Sequence, residues 1–389
     1  MVEPLFTRAF GLLNAAHLLQ ALAYSSLVLL PVWLDFLGAT RAQVGVVMSA
    51  SALGGLLARP LVAWALDRVG RKATLYVGTV VVGGGMVALL TVDAVGPWVT
   101  LLHAIIGIGE GALFTGYFTF AADIVPERRR TEGLALFGIS GLVPLVVTPF
   151  AGGLGIEGAA LRGFFPTVGL LVLASIAFLV PLPEATRPVG VVSPGPRAVA
   201  RALRHRGLWP VWVATLVFAG LVAVYMAFAT VIAANRGVAN PGVIWLTYAF
   251  GAVTVRLAGA SLPDRVGPSR MVPPALAAYC GAIGVAAFAG SGLGFALSGL
   301  LAGIGHGYCF PVLSSQTVSR TSPDLRGSAM ALFTGLWDLA KLVLVPAAGL
   351  LADLASDRDM MLVCTVSAVA GLVLWAVLER SVETGELAR

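Results

Sequence analysis

The sequence predicts an all-α membrane protein, with twelve transmembrane helices in two pseudo-symmetric six-helix bundles. Three observations predict it. Hydrophobic residues make up 58% of the 389-residue chain and charged residues only 11%, with a mean hydropathy of +0.92; a soluble domain carries about 25% charge. Long stretches, such as 164–182 and 207–235, contain no charge at all. Such runs mean spanning helices, because the strands of a membrane barrel alternate apolar and polar residues. Finally, several landmarks recur 197 residues apart. Together these exclude a soluble enzyme, a secreted module and a disordered chain.

A span needs roughly 20 mostly apolar residues. Cutting at charges and Pro/Gly clusters gives segments at 9–34, 44–66, 74–92, 97–122, 134–155, 163–182, 208–234, 241–262, 273–290, 293–318, 328–352 and 360–379. The first follows Arg8 and contains Asn14, His17 and Gln20, with no small-x-small cleavage site, so it reads as a retained span and not a signal peptide. With the N-terminus inside, 18 basic residues fall on the cytoplasmic side, 4 outside and 3 within spans. That bias places both termini in the cytoplasm of a multi-pass protein of the cytoplasmic (inner) membrane. It also accounts for the net charge of +6 and pI of about 9.6 without nucleic acid. The three cysteines, Cys280, Cys309 and Cys364, have neither disulfide nor zinc spacing.

The longest loop divides the chain into an N-terminal bundle (1–182), a cytoplasmic linker (183–207) and a C-terminal bundle (208–389). Within the linker, Arg197, Arg201 and Arg204 have helical spacing. They mark either a short surface helix against anionic membrane lipid or a solvated basic linker.

The repeat is seen in four landmarks. Arg59 and Asp67-Arg68-Val69-Gly70 correspond to Arg256 and Asp264-Arg265-Val266-Gly267, Pro126 to Pro323, and Pro149 to Pro346, each 197 residues apart. Gly107-Ile108-Gly109-Glu110-Gly111 corresponds to Gly303-Ile304-Gly305-His306-Gly307 at 196. Both halves have the same orientation, so they are copies related by an axis along the membrane normal. Two such bundles are a recurrent transporter architecture, with substrate at the midplane between them.

These residues resemble the major facilitator superfamily. The strongest signal is Asp67-Arg68-Val69-Gly70-Arg71-Lys72, which looks like that family's signature loop, with its echo at Asp264-Arg265. The resemblance implies gating roles for Asp67, Arg68, Arg71, Lys72, Asp123, Asp264 and Arg265. Asp67 would cap the N-terminus of the eleventh span, where a carboxylate meets the positive helix end, and Arg68, Arg71 and Lys72 would pair with acids such as Asp123. Span five reads Pro144, then Thr148-Pro149-Phe150-Ala151-Gly152-Gly153. This is similar to the Gly-Pro-x-x-Gly-Gly of proton-driven antiporters, with Thr148 where glycine is usual, and His103 stands where antiporters usually carry arginine.

The resemblance also implies that spans one, four, seven and ten line the cavity. A charge at membrane depth costs about 2.5–3.5 kcal/mol on insertion scales, so each is a functional candidate. Glu110 and His306 are repeat mates in spans four and ten; they read as coupling and substrate groups, or as helix-packing hydrogen bonds. His103 and Asp338 join them as proton-coupling candidates. Asn14, His17, Gln20 and Tyr24 share one face of span one and, with Tyr225 and Lys341, are the remaining substrate-binding candidates. Asp338 and Lys341, three apart, are a structural ion pair or a coupling pair. Arg59 and Arg256 read as snorkelling to the cytoplasmic face.

No phosphate loop, zinc-helix motif or nucleophile elbow is present, which argues against an ATP-driven pump and an enzyme. No cofactor or metal is implied. The function expected is secondary active transport of a small-molecule substrate by alternating access. Proton-coupled efflux by a monomer is favoured, with a facilitator or importer as the alternative.

Overall fold

A computed structural model describes residues 4–126, 130–184, 196–259, 262–322 and 325–384. Among them there is no strand. Eleven helices are long and apolar enough to cross a membrane: α1 (Arg8–Phe36), α2 (Arg41–Arg68), α3 (Arg71–Thr91), α4 (Pro97–Ile124), α5 (Leu136–Gly153), α6 (Gly158–Leu179), α7 (Trp209–Asn235), α9 (Pro268–Phe288), α10 (Gly292–Ser319), α11 (Arg326–Leu354) and α12 (Asp357–Glu383). The eighth apolar helix, α8, is shorter (Val243–Ala258, 16 residues) and spans about 24 Å at 1.5 Å per residue.

Local chemistry sets the ends and interruptions. Ser291 and Ser356 open α10 and α12, their side chains accepting from the backbone N–H groups of Gly294 and Asp359. In α1 a 3-10 turn at Leu27–Leu29 precedes Pro31, and in α5 one at Val143–Val146 contains Pro144. Proline has no N–H to give to the ladder, so the helix tightens and restarts there. Gly70 and Gly267, 197 residues apart, begin α3 and α9 with φ of +129° and +102°. A Cβ would strain that conformation, so both copies need glycine there. The linker carries a helix at Pro196–Arg204, with Ala202 buried and Arg197, Arg201 and Arg204 exposed.

The chain forms two compact units, Met1–Ala39 with Val46–Val191, and Thr40–Gly45 with Val192–Arg389. Each has the same glycine-lined seams. In the first, a Cβ on Gly107 of α4 would overlap the Ser51 carbonyl oxygen of α2, and one on Gly54 would overlap that of Ala104. In the second, a Cβ on Gly303 of α10 would overlap the Tyr248 carbonyl oxygen of α8, and one on Gly251 would lie 2.7 Å from that of Leu300. A Cβ on Gly109 would lie 3.0 Å from the Gly78 carbonyl oxygen, as one on Gly305 would lie 2.8 Å from that of Ala275. Backbones approach this closely only where side chains are absent. The seams duplicate the sequence repeat contact by contact.

Candidate functional site

In the first unit, Glu110 lies midway along α4, thirteen residues after Pro97 and fourteen before Ile124. It is half-buried, and Tyr24 of α1 stands within electrostatic reach of it. Tyr24 is 39% exposed. His103, two turns earlier on the same face of α4, is buried.

The other members of the α1 stripe have their polar atoms placed elsewhere. The Asn14 side-chain amide donates to the Phe10 carbonyl of its own helix at 2.8 Å. His17 sits in an aromatic box: its ring stacks on Phe137 at 4.5 Å, with Tyr117 at 5.0 Å and Phe118 at 6.2 Å. Its Nδ1 meets Ser140 Oγ at 2.6 Å. Because the Ser140 hydroxyl donates to the Phe137 carbonyl, His17 must donate through Nδ1. Gln20 is buried. Spacing of three, three and four gave these residues one face, but α1 packs that face against different neighbours along its length.

In the second unit, His306 lies midway along α10, fourteen residues after Gly292 and thirteen before Ser319. Tyr248 of α8 holds its Nδ1 at 2.5 Å. Aromatic rings surround it: Phe218 of α7 at 5.2 Å, Trp337 of α11 at 6.1 Å and Phe310 stacked at 6.3 Å. Arg256, eight residues after Tyr248 on α8, is within electrostatic reach of both Tyr248 and His306. Its Nε is buried, where the sequence suggested snorkelling to the cytoplasmic face. Tyr225 is buried and its hydroxyl is committed: Ser298 donates to the Ala282 carbonyl at 2.7 Å, so Tyr225 donates to Ser298 Oγ at 2.6 Å. Asp338 and Lys341 follow Trp337 on α11; both are half-buried and both are engaged.

The model of the Major Facilitator Superfamily matches residues 13–342. The chain belongs to that superfamily. It is 24% identical over 358 residues to the uncharacterized MFS-type transporter STM4428 of Salmonella typhimurium, 89% of each chain. It is 28% identical over 164 residues to the minor myo-inositol transporter IolF of Bacillus subtilis, 40% of this chain and 36% of the relative. The nucleoside transporter NupG superposes with a TM-score of 0.78 at 13% identity, over 95% of this chain and 99% of that one. This superfamily protein is thus a multi-pass transporter of a small molecule and not an enzyme.

The superfamily's signature loop is described in part. The side chains of Asp67 and Asp264, and those of Thr148 and Pro149, lie outside the described residues. Arg71 is buried; its Nε donates to Asp123 at 3.1 Å and its Nη1 to the Leu66 carbonyl. Lys72 turns from acids to the α6 end, donating to the Val180 and Leu182 carbonyls at 2.7 Å each, where a cation suits the helix's negative pole. Glu184, which the sequence reading passed over, accepts from the backbone N–H groups of Arg71 and Lys72 at 2.8 and 3.2 Å and so caps α3. Arg68 is exposed and engaged. Arg265 is exposed and, with Tyr308 and Leu262, lines a cavity of about 390 Å³.

Sequence reasoning also missed Tyr248, Trp337 and the ion pair of Arg320 with Glu379. A lone aromatic in an apolar span gives no periodic signal, and Arg320 and Glu379 are 59 residues apart. In the start of α2 that belongs to the second unit, Asp353 accepts from the backbone N–H groups of Arg41 and Ala42 at 2.8 Å each, and Arg41 Nε pairs with Asp357 at 3.0 Å.

Proposed function

We propose that the protein is a proton-coupled secondary transporter, exporting a small organic solute by alternating access from the cytoplasmic membrane as a monomer. Both termini face the cytoplasm, on the strength of the arginine bias between loops. The observation that carries the reading is the midway placement of Glu110 in α4 and of its repeat mate His306 in α10. A group at that depth changes charge only by taking up or releasing a proton, and each charge state favours a different packing of the helices around it. Export is supported by the interruption of α5 at Pro144 and the glycines Gly152 and Gly153 that follow. A second reading, uptake, is favoured by the likeness of part of the chain to a protein named as an inositol transporter.

The test uses full-length protein in proteoliposomes with a pH-sensitive dye inside and a panel of solutes outside. Wild type is expected to move protons when a solute is supplied and to concentrate it against an imposed pH gradient. Glu110→Gln is expected to keep solute exchange but lose proton movement. Unchanged gradient dependence in Glu110→Gln discards Glu110 as the coupling group. Lower accumulation of the same solute in cells making the protein supports export, and higher accumulation supports uptake.

A further inference from the structure

In the first unit the position matched to His306 is Glu110, and the position matched to Arg256 is Arg59. In the second unit the carboxylate is replaced by imidazole. Arg256 is left with Tyr248 and His306 in electrostatic reach, and neither is an anion at neutral pH unless forced to be. Its Nε is buried and has no hydrogen-bond partner among the described residues. A second donor close by is in the same condition: the buried indole Nε1 of Trp337, whose ring lies 6.1 Å from that of His306. Asp338 and Lys341, the charges nearest in sequence to Trp337, are each already engaged.

Buried donors without acceptors are uncommon, and a guanidinium without an anion more so. Around the Trp337 donor the walls are flat and apolar: Phe218 at 5.0 Å and Phe310 at 5.7 Å from its ring, with Phe333 at 5.8 Å from Phe310. Donors of this kind meet a planar carboxylate well, because the guanidinium fork matches its two oxygens. The rings meet a planar or aliphatic body of modest size.

We propose that Arg256, Trp337 and His306 form a binding site for an organic carboxylate, the acid group on Arg256 and the Trp337 indole N–H, and the apolar body against Phe218 and Phe310. The inference deepens the transport reading above by naming the substrate class, and rests on it for the site being a transport site. Binding is measured without proton movement, so the two readings can fail separately.

The test is equilibrium binding to the purified full-length protein in nanodiscs, followed by tryptophan fluorescence and by thermal shift. The probes are benzoate, 4-hydroxybenzoate, phenylacetate and hexanoate, each against its primary amide, with phenyl phosphate and benzylamine as the other charge arms. At least one carboxylate is expected to bind tenfold or more tightly than its amide and than benzylamine. Arg256→Gln is expected to remove that preference, and Trp337→Phe, a milder change that keeps the ring, to weaken the carboxylate at least threefold. Carboxylates that bind no better than their amides, or that bind Trp337→Phe and Arg256→Gln as wild type, overturn the proposal. Tighter binding of phenyl phosphate than of any carboxylate overturns the carboxylate assignment. Loss of proton movement in Glu110→Gln with carboxylate binding intact leaves this site standing, and the reverse pattern removes it while sparing the coupling group.

Discussion

Asp123 and Arg320 lie at the same end of two corresponding helices, carry opposite charge, and each closes an ion pair there. Asp123 at the end of α4 accepts from Arg71 at the start of α3. Arg320 at the end of α10 reaches Glu379 of α12 with both Nη atoms and also donates to Ser269 Oγ at 2.9 Å, which accepts from Gln316 as well. The duplication kept the tie and exchanged its sign and its partner helix.

That exchange makes the pair testable. Breaking a buried pair by removing one partner costs about 3–5 kcal/mol, since the other charge stays desolvated. Arg320→Glu is expected to lower the unfolding temperature of the purified protein by several degrees, and Arg320→Glu with Glu379→Arg to recover most of the loss. No recovery in the double variant would show that geometry and not charge holds this end.

The glycine seams predict a steep dependence on position. Gly107→Ala and Gly303→Ala each drive a methyl group into a carbonyl oxygen of the facing helix. Overpacking of this kind costs about 1–3 kcal/mol or more. In contrast, Gly281→Ala has its nearest foreign atom at 3.9 Å and is expected to be neutral. Fluorescence-detected size-exclusion chromatography of tagged variants separates the two outcomes.

Gly70→Ala and Gly267→Ala probe a different property, the backbone, since both residues hold a positive φ and a Cβ at Gly267 meets nothing within 4 Å. A non-glycine residue held at such φ costs about 1–3 kcal/mol. Both variants are expected to lose stability similarly in thermal unfolding, and a loss at one alone would break the equivalence of the two loops.

His17 separates packing from chemistry. Its ring stacks on Phe137 and its Nδ1 is given to Ser140. His17→Phe is expected to leave the pH profile of solute-driven proton flux unchanged while costing about 1 kcal/mol for the lost hydrogen bond. A shifted profile would return His17, a substrate-binding candidate, to the functional site.

Much of the architecture was legible because lipid simplifies the rules. Apolar length gives spans, and matched residues such as Gly70 and Gly267 give the duplication. The segment at 241–262 was recognised but overextended, since α8 is shorter than its apolar stretch. Glu110 and His306 stand out in the sequence because a titratable group interrupts an apolar run. Tyr248 and Trp337 do not, because their contacts with His306 come from two other helices. Tyr225 and His17 were singled out for polarity that the fold uses internally, on Ser298 and Ser140.

The contact of Gly107 with Ser51, and of Gly303 with Tyr248, carries a mechanical consequence. Helices meshed backbone to backbone cannot slip past one another, so α4 and α2 swing as one lever, as do α10 and α8. On the coupling proposed above, a proton arriving at Glu110 would be felt at the far ends of two rods at once, and one at His306 along the short arm of α8.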